Sequence, residues 1–283
     1  ETETLDFESD PEPEKAFQRW CEERCSRVLP LDGPLVDSVI VRLGGGRTGW
    51  YLNQHHLITD AWSTRLLYRD VGRAYAKLAV GRPDPETPAP LYYPTAAALE
   101  PSAEEHARAL GHWASRRSPT TVPLYGRAGA PSGTASDRLT LEIDATRSRA
   151  LDALAKGEGF RSLSDALSRL AVFAMLLSSW LHRVSGRQSL TIDAPVAGRP
   201  TAAAKEALGL FIEVFPFAVE VEPGDSFRSL GAKCLEEAMR FLRHGLPGTG
   251  VADGGAASTV VLNYVPGAFG PVAGVEAAGD WIP

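Results

Sequence analysis

The chain has 283 residues, of which 44% are hydrophobic and 23% charged, enough apolar material for one large core or two ordinary ones. Its 35 acidic residues outweigh 29 basic ones for a formal charge of −6, which removes the electrostatic case for a nucleic-acid or polybasic membrane partner. Three cysteines, Cys21, Cys25 and Cys234, are too few for a disulfide framework and are not paired with histidines at zinc-finger spacing, so a reducing, cytoplasmic setting is expected.

Glu1-Thr2-Glu3-Thr4 shows neither a basic n-region nor an apolar h-region of a secretory signal. A helix is expected over Ala16 to Val28, ended by Pro30, with Cys21 and Cys25 packed on one of its faces. Leu35 to Leu43 alternates as a strand, and Trp50 to His56 follows as a second one. Between them, Gly44-Gly45-Gly46 leads into a strand instead of a helix and lacks a Lys-Ser or Lys-Thr pair, so it reads as a hairpin tip, not a phosphate loop.

From Asp60, Leu66, Leu67, Val71, Ala74, Tyr75 and Leu78 recur at helical spacing as far as Ala79, and Gly81-Arg82-Pro83 ends the run. A Pro-rich connection, Pro83 to Pro94, leads to a helix over Ser102 to Arg117. The clearest linker is Ser118 to Ser136, which holds three prolines and three glycines and suits a crossing between two lobes, residues 1–125 and 126–283.

The second half begins with an alternating strand, Leu139 to Ile143, and a helix over Thr146 to Lys156. Leu163 to Val184 has about the length of a membrane span, but Asp165, Arg169, His182 and Arg183 fall inside it, so it reads as a buried helix capped by Ser162 or Ser164. Strands at Ser189 to Ala194, Leu210 to Val221 and Thr259 to Tyr264 accompany a helix from Ser226 to Arg243. The alternation of strands and helices in both halves predicts α/β lobes, with no internal repeat.

Chemistry concentrates in Asn53-Gln54-His55-His56-Leu57-Ile58-Thr59-Asp60-Ala61-Trp62-Ser63, where a strand ends at two histidines and an aspartate opens a helix. Adjacent residues at a strand end point to opposite sides, so one imidazole can face a cavity while the other packs inward. Three roles fit: satisfied core histidines beside a helix-start carboxylate, a metal site built on His56 and Asp60, or a histidine general base. The metal role is the weakest, because no further His, Cys or carboxylate cluster stands nearby.

His55-His56-Leu57-Ile58-Thr59-Asp60-Ala61 resembles the His-His-x-x-x-Asp-Gly signature of nonribosomal peptide synthetase condensation domains, which belong to the chloramphenicol-acetyltransferase-like acyltransferases. Ala194-Pro195-Val196-Ala197-Gly198-Arg199 is similar to the family's Pro-Val-Ala-Gly-Arg loop, and Gly209-Leu210-Phe211 to the Gly-x-Phe strand that follows it. Leu262-Asn263-Tyr264 resembles the later Phe-Asn-Tyr segment, His112-Trp113 the Tyr-Trp pair, and Leu29-Pro30-Leu31-Asp32 the Pro-Phe-Asp-Leu entry.

The resemblance implies an α+β sandwich fold, with two chloramphenicol-acetyltransferase-like lobes and an active-site channel between them. It implies that His56 takes the proton from an acceptor amine or orients that amine, and that His55 is a scaffold residue. Asp60 would pair with Arg199, 139 positions away, and Ala61, Ser63 and Asn263 would line the channel. No metal and no bound cofactor are implied. Donor and acceptor carrier protein domains would instead present acyl and amine substrates on phosphopantetheine arms, for an amide or less often an ester product. The same signature also serves coenzyme A-dependent acyltransferases and non-catalytic docking platforms; intact His56, Asp60 and Arg199 favour an enzyme over a platform.

Three positions depart from the family pattern. Ala61 replaces the signature glycine, and in Ile212-Glu213-Val214-Phe215-Pro216-Phe217-Ala218 Glu213 and Ala218 replace Asn and Arg of Val-Asn-Thr-Leu-Pro-Leu-Arg. Alanine is the least disturbing replacement at the first of these, whereas Glu213 and Ala218 weaken assignment to the common peptide-forming subtype and favour an atypical or free-standing condensation enzyme, or one with an unusual acceptor. Family segments that would precede and follow this chain are not recognisable in it, so it is expected to be the middle of a longer domain.

Overall fold

The computed structural model describes residues 3–82, 89–116, 137–250 and 260–265, and single positions 275, 277 and 279. The linker expected at Ser118 to Ser136 lies outside the described residues.

The first half is built on a three-stranded sheet of order β1-β2-β3. β1 (Glu3–Asp6) runs parallel to β2 (Val36–Gly44), which pairs antiparallel with β3 (Arg47–Gln54). Gly44, Gly45 and Gly46 all take positive φ (78°, 62° and 75°) at the hairpin tip, the conformation in which only glycine is unstrained. Val39 and Val41 of β2 and Tyr51 of β3 are buried under α1 (Pro13–Cys25), which contributes Cys21, Phe17 and Trp20. This helix starts three residues earlier than the spacing predicts, because Pro13 suits a first helical turn, and it ends before Val28, which is 90% exposed. Burial drives the Cys21 thiol up to about 11, with Cys25 and Glu22 adding to the effect. Such a thiol packs as a small apolar group.

α2 (Ala61–Ala79) follows the histidine turn. Of the face predicted to be buried, Leu66 is buried, whereas Val71, Tyr75 and Leu78 are 39%, 50% and 65% exposed. Two short helices have no periodic signal to announce them, α3 (Tyr92–Ala97) and later α7 (Ala202–Glu206), and both hold positions beside the site. α4 (Ala103–Ala114) is fixed at its start by a capping box in which Ser102 and Glu105 satisfy each other's backbone N–H groups.

The second half packs α5 (Ala145–Lys156), α6 (Asp165–Ser185) and α8 (Phe227–His244) beside the antiparallel pair β4 (Ser189–Val196) and β5 (Glu213–Glu220). Ser164 caps α6, and Gly186 ends it at φ 68°. Leu170, Ala171, Val172, Ala174 and Met175 from α6 meet Leu190, Ile192 and Ala194 from β4 and Phe215 and Phe217 from β5 in one core. Segment 260–265 adds to the free side of β4: Asp193 N–H donates to Val260 O at 3.0 Å and Leu262 N–H to Asp193 O at 2.8 Å, in parallel sense. The strand expected at Leu139 to Ile143 is not formed among the described residues; Leu139 and Leu141 are 97% and 84% exposed, since alternation makes a strand only where a neighbour supplies the ladder. No helix among the described residues is long and apolar enough to cross a membrane.

α4 joins this second core although it precedes the expected boundary at residue 125. Trp113 is 1% exposed against Phe215 and Phe241, and its indole N–H donates to His244 O at 2.7 Å. Arg116 pairs with the buried Glu237 of α8, and the rings of His112 and His244 stack at 3.8 Å. Burial first, then His244, Arg116 and Arg240, push His112 down to about 4; burial and Arg243, Arg240 and Arg108 also lower His244. The folded chain therefore refuses a proton that the unfolded chain accepts near the ordinary histidine value of about 6.5. Stability is expected to be highest above that value and to fall as pH drops through it toward 4. Denaturant midpoints at neutral pH and at pH about 5 check this, and His112→Phe, which keeps the stacking and removes the titration, should lessen the drop.

Candidate active site

β3 ends at Gln54, and His55 N–H makes the last link to the strand before it, donating to Leu35 O at 2.9 Å. The chain then turns, with Ile58 N–H donating to His55 O at 3.1 Å and Leu57 N–H to His55 Nδ1 at 3.1 Å. An accepting Nδ1 leaves the ring proton on Nε2, so the His55 ring is spent on holding its own turn. His56 is exposed. The two neighbouring imidazoles thus have separate surroundings, one folded into the turn and the other open to solvent.

Four residues on, Asp60 is the N-cap of α2 and accepts Ser63 N–H at 2.8 Å. The same carboxylate accepts Arg199 Nη2 at 3.0 and 3.1 Å and Phe211 N–H at 3.0 Å. Both charged side chains are almost wholly buried, 1% exposed for Arg199 and 2% for Asp60. The guanidinium also donates from Nη1 to Ala204 O and Ala207 O, both at 2.6 Å, and from Nη2 to Gly209 O at 2.9 Å. The Phe211 ring lies 4.3 Å from its central carbon. Burying two charges is tolerable only with this density of partners, because each ion loses its hydration.

Ser63, expected to line a channel, sits inside this network instead, 2% exposed. Its hydroxyl donates to Gly209 O at 2.7 Å and accepts from Arg199 Nη2 at 2.8 Å and Gly209 N–H at 3.0 Å. Ala61 is half-buried at the first position of α2, and Asn263 is exposed on the segment beside β4. No group of three or more potential metal ligands occurs among the described residues.

Residues that the motif reading did not single out complete the junction. Trp62 Nε1 donates to Lys205 O at 2.9 Å, Arg69 pairs with Glu206 at 2.8 Å, and Tyr92 Oη donates to Leu210 O at 2.9 Å. The last two of these partners, with α7 between Arg199 and Gly209, show why the Pro-Val-Ala-Gly-Arg loop and the Gly-x-Phe segment belong to one structure. A usable signal was present for Trp62, which stands two residues after Asp60.

Gly198 stands at φ +60°, and a Cβ there would meet Phe211 O at 2.1 Å. Gly198→Ala is expected to push Phe211 off Asp60 and to lower thermal stability by more than an exposed Gly→Ala change would, which a thermal melt of the two proteins reads directly.

Two small sheets with their helices thus meet at a buried aspartate–arginine pair that stands next to an exposed histidine, in a mixed helix and strand fold. The condensation-domain family matches residues 1–249, and the chain belongs to it. It is 30% identical over 241 residues to phosphinothricin tripeptide synthetase PhsC of Streptomyces viridochromogenes, covering 82% of this chain and 22% of that one. It is 23% identical to surfactin synthase subunit 1 of Bacillus subtilis, covering 84% of this chain and 7% of the relative. Among solved structures, the first condensation domain of the calcium-dependent antibiotic synthetase, in complex with a substrate analogue, superposes with a TM-score of 0.76 at 26% identity, over 97% of this chain and 64% of that one. The chain therefore spans a small part of the curated relatives and under two thirds of the solved domain.

Proposed function

We propose that this chain is the site-bearing part of a condensation domain that joins an acyl thioester on a donor carrier protein to the amine, or less often the hydroxyl, of an acceptor. The observation that carries the reading is the Asp60–Arg199 pair, which links positions 139 apart and anchors the turn that presents His56. Residues 1–125 form one lobe and 126–283 the other, with α4 reaching across into the second core through Trp113.

In this reading His56 is the catalytic residue. It accepts the proton of the attacking amine or orients that amine while the new C–N bond forms; the C–S bond breaks and the carrier thiol leaves with a proton. A thioester is already activated, so bringing the partners together and excluding water supplies much of the rate. His55 holds the turn, Asp60 and Arg199 hold the loop, and Ala61 and Asn263 stand toward the substrates. The substrates remain on the phosphopantetheine arms of the carriers, and the chain itself holds no cofactor. Cysteines held as thiols, with Cys21 and Cys234 buried, suit a reducing cytoplasm.

Coenzyme A-dependent transfer is the competing chemistry, and donor competition separates the two. With the intact protein and an amine acceptor, acyl groups on a carrier protein are expected to react in preference to the same acyl groups on coenzyme A. Equal or faster reaction from coenzyme A would overturn the carrier reading.

A further inference from the structure

Glu213 is one of the positions at which the chain leaves the family pattern, and its surroundings give it a specific task. The β4–β5 ladder ends at the pair Val196 and Glu213. Beyond Val196 the chain runs to Arg199, and two residues before Glu213 Phe211 donates its N–H to Asp60 at 3.0 Å. Glu213 therefore stands at the end of the second sheet where the ion-pair junction lies. Asn263, two residues past the bridge between Val261 and Asp193, lies toward the same end because that segment runs parallel to β4.

The carboxylate does not point idly into solvent. Gly248 N–H donates to Glu213 Oε1 at 2.6 Å and Gly250 N–H to Oε2 at 2.8 Å, so each oxygen holds one amide of the loop that leaves α8. The loop is shaped to receive it. Gly248 takes φ +75°, and a Cβ on Gly250 would lie 2.9 Å from Glu213 Oε2 and 3.0 Å from Val214 O. On its other side the same loop meets α4, where the His106 ring lies 3.3 Å from Gly248 O, and Thr249 is 1% exposed. An asparagine, the residue the family pattern has here, is one methylene shorter and carries one acceptor oxygen beside a donor NH2, so it cannot give each amide an oxygen of its own as Glu213 does.

We infer that Glu213 is a positioning residue that clamps the Gly248-Thr249-Gly250 loop beside the ion-pair junction and, through that loop, tunes the binding of a carrier-borne substrate at that end of the sheet. This rests on the condensation reading for the identity of the substrates. The clamp acts on binding and leaves the chemical step at His56 alone.

The test uses the intact protein and compares Glu213→Gln and Glu213→Asp with the parent. Glu213→Gln keeps the shape and removes one acceptor, so exchange of the Gly248 and Gly250 amides is expected to speed up about tenfold, at unchanged exchange in the α6 core. Binding of a holo-carrier protein or of a short aminoacyl thioester, each measured by titration, is expected to weaken about five- to tenfold for one of the two, with kcat within about twofold of the parent. Glu213→Asp, which keeps two acceptors, should recover part of the loss. Unchanged amide exchange in Glu213→Gln, or faster exchange with both affinities unchanged, overturns the clamp. Loss of kcat with affinities intact also overturns it. If the parent binds both probes and forms no amide, the condensation reading fails, while the exchange and titration results still decide the role of Glu213.

Discussion

Arg199→Ala is expected to destabilise the chain by about 3–5 kcal/mol and to abolish product formation, the largest stability effect of any single change at the site. The reason is asymmetry. In the parent, Asp60 accepts two bonds from Arg199 and one each from Ser63 N–H and Phe211 N–H, so its buried charge is compensated. Without the guanidinium the carboxylate, 2% exposed in the parent, is left unpaired in the interior, and Ala204, Ala207 and Gly209 lose the donor that ties their carbonyls together. Arg199→Lys should be nearly as damaging, since a single ammonium cannot reach the five separate groups that accept from Arg199, namely Asp60, Ser63, Ala204, Ala207 and Gly209. Asp60→Asn should cost less in folding than Asp60→Ala, because it keeps an acceptor for the cap of α2. Denaturant titration of the four variants checks the order, and equal stability of Arg199→Ala and the parent would remove the pair from its structural role.

The second large effect is on rate. His56→Ala is expected to fold like the parent, because the side chain is exposed and Leu57, Ile58 and Asp60 make the bonds that hold the turn. Its turnover should fall about 10²–10⁴-fold, the usual contribution of one positioned acid–base group. His55→Ala should behave in the opposite way. It removes the Nδ1 acceptor of Leu57 N–H, so the turn loosens and activity falls together with local stability. A melting temperature and a turnover number on each variant separate the residue that meets the substrate from the one that holds the turn.

The strand, turn and helix around the histidines were legible from local pattern alone, because Asp60 is a cap and the apolar spacing of α2 begins one turn later. The partner of Asp60 was not. Nothing in composition or periodicity links it to Arg199, and only the order of family-like segments joined the two. Ser63 shows the limit of that resemblance: next to a site motif it reads as a channel residue, yet the hydroxyl is consumed by Arg199 and Gly209. α3 and α7 escaped because helices of six and five residues carry no repeat to detect. Leu139 to Ile143 and the outer face of α2 have the right spacing without the neighbour that would bury them among the described residues. Trp113 belongs to a core built mainly from residues after 137, a long-range choice that helix amphipathicity cannot specify.

The most direct test of His56-dependent condensation mixes the intact protein with a donor carrier protein bearing an acyl thioester and an acceptor carrying a free amine, and follows the mass of the acceptor. The acceptor is expected to gain the acyl group in the parent and to gain none above background in His56→Ala. An acceptor that stays unmodified by the parent while the donor thioester is hydrolysed, or one acylated equally by parent and His56→Ala, would contradict it.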